Sequence, residues 1–254
     1  MAKHGTSHLL SPFRRLVVDL MHFSKQTPAV MIERRMSLAP LVAARLRCEP
    51  RPAWTVLFAK AFALVGRDFP QLRQSYMPLP IPRLYESRHS IASLNIERSF
   101  GDEPIVLQCL IERPDNRSLA EMDAIVKTNQ KTPLEELRWF RRARTMGRLP
   151  LPIRRFVWWA TLRVLGRQRC HNFGTFSVSS IAPEGAGIVH LVPILTASLH
   201  YGLFEADGHL DVRLTFDHRV FDGAVAARAM AALEERLLGD VVDELNHMRW
   251  QAAA

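Results

Sequence analysis

Acidic residues are missing from the most unusual stretch of this chain. No Asp or Glu occurs from Leu137 to Pro183, while ten arginines fall between Arg138 and Arg169. The chain as a whole carries 34 Lys and Arg against 25 Asp and Glu, so this segment alone can supply the net charge of +9. A face that basic calls for an anionic partner, such as nucleotide phosphates, an acidic carrier protein or anionic lipid. Nucleic acid is set aside because no recognised binding module is present. Cysteine is scarce as well. Cys48, Cys109 and Cys170 stand far apart, which excludes a disulfide framework and reads as ordinary thiols in a reducing, cytoplasmic compartment. The histidines and cysteines lack ligand spacing, so no metal site is expected. No apolar run reaches the ~18 uncharged residues of a membrane span. The opening MAKHGTSHLLSPFRR lacks the apolar core of a secretory signal. There is no internal repeat, low-complexity tract or Gly/Ser linker, and 254 residues suffice for a large core, so a single domain over residues 1–254 is expected.

What is present reads as a mixture of helices and strands. Ser11 and Pro12 start a helix that ends before Pro28. Ala29 to Met36 reads as a strand, Leu38 to Leu46 as a short helix, and the run after Pro52 as a long helix with a broad apolar face. Strands are expected at Arg83–Ser87, Ser90–Ser99 and Ile105–Arg113, the last two joined through Phe100-Gly101-Asp102-Glu103 as a hairpin. Ser118 and Glu121 form a capping box for the helix from Leu119. The Arg-rich stretch reads as two helices divided at Gly147 to Pro152. Its Trp158 and Trp159 beside arginines suit either core packing with a solvated basic face, or a surface that docks on a membrane or covers an apolar substrate. Gly174–Ile181, Ile188–Leu199 and His209–Asp217 supply further strands, and Val225–Leu238 the closing helix. The fold class is α+β.

The chemistry concentrates in Leu214 to Leu233, LTFDHRVFDGAVAARAMAAL. A histidine at a strand end, four residues before an Asp-Gly that opens a helix, is rigidly placed, and imidazole exchanges protons near neutrality. His218 can therefore take a proton and return it, although the motif alone equally fits a turn with a solvated histidine. Asp222 can hold the turn, and Gly223 permits backbone angles that a side chain would forbid.

Seven segments in order resemble the catalytic domain of the dihydrolipoamide acyltransferases of 2-oxoacid dehydrogenase complexes, and through them chloramphenicol acetyltransferase. They are SPFRRLVVDLMHFSKQTPAV, SLAPLVAAR, WTVLFAKAFALVGRDFPQL, HSIASLNIERSF, RSLAEM, GTFSVSSI and TFDHRVFDGAVAARAM. The resemblance implies a chloramphenicol acetyltransferase-like domain, a mixed sheet flanked by helices, that moves an acyl group from a thioester donor to a thiol, hydroxyl or amine acceptor. His218 would be the base, Ser179 the hydroxyl that hydrogen-bonds the tetrahedral oxyanion, and Asp222 a brace for the histidine's loop. Gly223 and Asp217 would be structural at the site. No tightly bound cofactor is implied; coenzyme A or carrier-linked phosphopantetheine would be a substrate. A homotrimer is implied, with histidine from one chain and serine from the next.

The chain departs from the family in lacking a lipoylation segment and an Ala/Pro linker, which implies a stand-alone form. Ser180 replaces the asparagine after the family's serine, and the interval from Ser179 to His218 is shorter. The Arg138–Arg169 region is unlike the family's polar helix there and could meet an acidic acyl carrier protein or an anionic membrane surface. Two alternatives accompany the enzyme reading: a non-catalytic trimeric scaffold, and a membrane-peripheral lipid acyltransferase.

Overall fold

Ser11 opens the first helix as its sequence predicts: its Oγ accepts from the Arg14 N–H at 3.0 Å, and Pro12 takes the first helical position. A computed structural model describes residues 5–189 and 192–252. In chain order these form α1 (Pro12–Ser24), β1 (Ala29–Ser37), α2 (Ala39–Leu46), α3 (Trp54–Asp68), β2 (Gln74–Met77), β3 (Arg83–Glu86), β4 (Ile91–Phe100) and β5 (Glu103–Glu112). There follow α4 (Leu119–Lys131), α5 (Arg138–Arg148), α6 (Leu151–Arg163), α7 (Gly166–Phe173), β6 (Phe176–Ser179), β7 (Ala197–Tyr201), β8 (His209–Asp217), α8 (Gly223–Arg236) and α9 (Val242–Ala252).

Six strands make one mixed sheet in the order β1-β8-β7-β6-β4-β5. The β7–β6 and β6–β4 pairs are parallel and the other three antiparallel. β2 and β3 form a separate antiparallel pair. Alternation along the strands gives the main sheet two unlike faces. Ala92, Leu94, Phe176, Val178, Ala197, Leu199, Leu214 and Phe216 belong to one apolar cluster. That face is covered by α3, whose Phe58 stacks on Tyr201 at 4.5 Å and whose Phe62 meets Phe176 at 4.9 Å, and by α8 through Ala226, Ala229 and Met230. The other face carries Ser93, Ser177, Ser179, Ser198, His200, Arg213, Thr215 and Asp217, and most of these are buried too. The hairpin turn at Gly101-Asp102 and the Ser118/Glu121 capping box are both present.

Several expectations are corrected. The Arg-rich stretch forms three helices, because the chain breaks again at Val164–Leu165 and Gly166 opens α7 against the Tyr85 ring. The strand expected at Ile188–Leu199 is confined to Ala197–Tyr201. Residues 192–196 are irregular and Ile188 folds back so that its N–H donates to His200 Nε2 at 2.9 Å; residues 190–191 lie outside the described set. The Gly174–Ile181 strand shortens to Phe176–Ser179, since Ser180 Oγ donates to the Tyr201 carbonyl and accepts from Ala182 N–H, turning the chain away. The closing helix does not end at Leu238: a π-turn at Leu237–Val241 carries it into α9, with Leu237, Val241 and Leu245 all buried. β2 was not anticipated.

Candidate active site

The strand registers fix where the expected site residues stand. Phe176, Ala197, Phe216 and Val30 share one row across the sheet. Two rows toward one end lies His218, whose N–H continues the ladder to the Pro28 carbonyl at 3.2 Å. Ser179 lies three rows toward the opposite end, beside His200 and Arg213. Five rows at ~3.3 Å and two strand spacings at ~4.8 Å separate the backbones of His218 and Ser179 by roughly 19 Å within one chain. The fold therefore does not bring the two together in a single copy.

The histidine end is held from both sides. Asp217 is fully buried; its Oδ1 accepts from the Arg219 N–H at 3.0 Å and Nε at 2.8 Å, and its Oδ2 from Nη2 at 2.7 Å. Arg219 in turn lies over the Tyr76 ring at 4.5 Å and donates to the Gln26 carbonyl. These contacts clamp the residues on either side of His218, while its own ring stays about half exposed. Its Nδ1 stands 3.3 Å from Asp222 Oδ1. That approach does not make a hydrogen bond, and either ring nitrogen can act as a proton acceptor. Asp222 is the N-cap residue of α8, its carbonyl accepting from Val225 and Ala226 N–H, but its carboxylate is largely in solvent. Rigidity at this end thus comes from Asp217 rather than Asp222. Gly223 is also corrected: it begins α8 outside the left-handed region with open space where a Cβ would go, so the turn itself does not require glycine. Gly174 is different. Its φ of +89° and the Ile91 carbonyl 2.9 Å from a built Cβ demand glycine at the entry to β6.

At the serine end, Ser179 is buried and its Oγ bonds to no described residue, whereas Ser177 Oγ donates to Ser198 Oγ at 2.9 Å. His200 is a residue that sequence reasoning passed over. It is fully buried, its Nδ1 lies 3.0 Å from the Ser179 carbonyl, and its Nε2 accepts from Ile188 N–H. These partners set the neutral Nδ1–H tautomer. Burial pushes its pKa below the ordinary 6.5, opposed by the bond to Ser179 and assisted by the nearby Arg213 charge. Alternation along Thr196–Tyr201 could have placed His200 on the polar face opposite Leu199. Among the described residues no group of His, Cys, Asp or Glu is arranged to hold a metal ion.

No family model matches this chain, and no curated protein matches it in sequence. Solved structures do. The truncated catalytic core of the 2-oxoacid dehydrogenase multienzyme complex from Thermoplasma acidophilum matches with a TM-score of 0.66 and 19% identity, over 92% of this chain and 99% of that one. The fold is that of the dihydrolipoamide acyltransferase cores. The dihydrolipoamide acetyltransferase of Azotobacter vinelandii, investigated for the roles of a serine, a histidine and an asparagine in its catalytic mechanism, matches at 0.65 and 19% identity over 94% of each chain. Chloramphenicol acetyltransferase matches at 0.51 and 12% identity, over 91% of this chain and 100% of that chain. The order of elements in this chain, with its mixed six-stranded sheet, thus belongs to a known acyltransferase architecture despite the low identity.

Proposed function

We propose that this protein is an acyltransferase whose active site forms between copies of the chain, most simply in a homotrimer. The observation that carries the reading is the split described above: a clamped, solvent-reachable imidazole at one end of the sheet and an unengaged buried serine hydroxyl at the other. A cyclic assembly would join His218 of one copy to Ser179 of the next. The Azotobacter enzyme supports the residue types, since a serine and a histidine were investigated there for catalysis; its asparagine four residues after the histidine corresponds to Asp222 here.

The chemistry follows from these groups. The His218 imidazole takes the proton of a thiol, hydroxyl or amine acceptor as that atom attacks the carbonyl carbon of a thioester. The C=O π electrons move onto oxygen, and the Ser179 hydroxyl of the neighbouring copy donates to the oxyanion, a contact commonly worth ~3 kcal/mol in the transition state. Collapse reforms the carbonyl and breaks the C–S bond. The departing thiolate recovers the proton from His218. Coenzyme A or a carrier-linked phosphopantetheine is the donor class that fits, and no group bound to the protein takes part in these steps.

The test is product analysis by mass spectrometry with a panel of acyl-CoA and acyl-carrier donors and thiol, alcohol and amine acceptors. Wild type should form acylated acceptor, and His218→Ala at least ~100-fold less. Equal background release from both would leave the scaffold reading in its place.

A second reading concerns location and has its own observation. On α6 the inward residues are Arg154, Trp158 and Thr161, while Ile153, Phe156, Val157 and Trp159 face outward. No described helix is long and apolar enough to cross a membrane. An outward apolar row flanked by arginines fits the interface of an anionic bilayer. Flotation with anionic but not neutral liposomes is expected, and absence of flotation with both removes it.

A further inference from the structure

Two adjoining clefts of about 350 and 550 Å³ share Arg88, His89 and Arg113 as lining residues, and the larger also takes in Arg167. Neither is lined by Ser179, His200 or His218. The three arginines come from separate parts of the chain: Arg88 from the turn before β4, Arg113 from the end of β5, and Arg167 from the first turn of α7. Their meeting is a product of folding and not of the basic run in the sequence.

The neighbouring cations are neutralised and these three are not. Arg67 is held by Asp115 Oδ2 at 2.9 Å and by Asn116, and Arg73 by Glu86 at 3.3 Å and by three backbone carbonyls. Among the described residues the side chains of Arg88, Arg113 and Arg167 make no ion pair and no hydrogen bond. Asp115 and Glu86 each pair with one of the neighbouring arginines, Asp115 through Oδ2 alone, and Glu112 also lines the larger cleft. Three arginines without a carboxylate partner thus line adjoining clefts, and their unshared charge would attract an anion there. Arg113 is moreover the one non-glycine residue among those described with a left-handed backbone, φ 52°. The β4–β5 ladder is extended by its N–H to the Ser90 carbonyl, which fixes that backbone at the rim.

We propose that this cleft binds a phosphoryl-bearing anion, a phosphate monoester or a diphosphate. The planar fork of arginine matches phosphate oxygens two at a time, and a dianion would offset the excess charge. Arg113 and His218 also lie in the same outermost row of the sheet, the first bonded to Ser90 and the second to Pro28. Four strand spacings of ~4.8 Å put roughly 19 Å between them. The phosphoryl group therefore has two available sources: the phosphate end of an extended thioester donor, which rests on the acyl-transfer reading, or a separate ligand, which does not.

Calorimetric titration of the full chain with inorganic pyrophosphate at low salt tests the site without requiring catalysis. The cleft variant is Arg88→Ala with Arg113→Gly; glycine relieves the left-handed backbone, so folding is not put at risk. The control is Arg138→Ala with Arg141→Ala, which removes the same charge from the exposed side of α5. Saturable binding by wild type and control, weakened at least ~10-fold in the cleft variant, is the expected result. No saturable binding by wild type, or equal weakening in both variants, overturns the proposal and leaves only the net charge. Given the expected result, KM for an acyl-CoA donor separates the sources. A rise with kcat unchanged in the cleft variant assigns the group to the donor, and an unchanged KM assigns it to a separate ligand.

Discussion

His200 sits where the polar face of the sheet meets the loop at Ile188, with both ring nitrogens engaged and no access to water. Because its folded pKa is held below the ordinary 6.5, the unfolded chain binds a proton in the interval where the folded chain does not. Its contribution to stability is therefore complete above pH 6.5 and is lost as the pH falls from 6.5 through the folded value. Thermal unfolding between pH 7.5 and pH 5.5 should show this loss in wild type. His200→Asn keeps a donor for the Ser179 carbonyl but does not titrate, so its midpoint should fall less over the same interval. Parallel slopes for the two proteins would contradict the assignment. Asp217 is a second decisive residue at this scale. Asp217→Asn leaves Arg219 without its carboxylate and frees the residues flanking His218. The expected result is a fall in kcat of ~10-fold or more with KM little changed, because the imidazole loses its placement and not its chemistry.

At the scale of elements, α1 and α6 are joined by an ion pair that the sequence pattern did not announce. Asp19 is fully buried in α1 and is paired with the buried Arg154 of α6, with Arg155 Nε at 3.7 Å as a second cation. Phe23 and Trp158 stack one turn further on, at 5.9 Å. Arg154→Met should cost ~3 kcal/mol, because it leaves the buried carboxylate with only the more distant Arg155, whereas the double change Asp19→Leu with Arg154→Met should cost less than that single one. Denaturant unfolding of wild type, Asp19→Leu, Arg154→Met and the double variant measures the coupling, and additive losses would refute it. This pair also shows why the Arg-rich region was hard to read. An arginine counted as surface charge in the sequence faces inward, while Ile153 and Phe156 face outward, so helical periodicity identified the helix but not its buried side. Local signals were reliable where the chemistry is local: the Ser11 cap, the Ser118/Glu121 box, the Gly101 hairpin turn and the alternating β8 all lie where they were expected. The failures arose where tertiary contacts decide. β7 begins late because Ile188 bonds to a histidine ring twelve residues on, and α9 exists because Val241 and Leu245 find core to fill. His218 and Ser179 are candidates that a motif and a resemblance supply. Their position at opposite ends of the sheet was not legible in the sequence, because register is a property of strand pairing.

For the whole molecule the separation of His218 and Ser179 makes a quantitative statement about assembly. If each site takes its imidazole from one copy and its hydroxyl from the next, a Ser179→Ala copy still contributes a competent histidine and a His218→Ala copy a competent serine. Either variant alone should be nearly inactive. Random co-assembly in equal amounts gives a competent pair at ~25% of the interfaces, one half for the histidine donor times one half for the serine donor. Co-expression with two different affinity tags, followed by sequential purification, yields the mixed assemblies. Their activity per site should rise from the single-variant background to about one third of wild type, because purification removes the unmixed trimers and each mixed trimer holds one competent pair among its three interfaces. A site contained within one chain predicts no recovery at any mixing ratio, since every copy then lacks one of its own two groups. Wild-type activity from Ser179→Ala alone would remove the serine from the mechanism and leave the histidine end as the whole of the site. The comparison thus reads the geometry of the assembly directly from catalysis, using two variants at positions whose backbones lie on the order of 19 Å apart in one copy and whose side chains would meet across two.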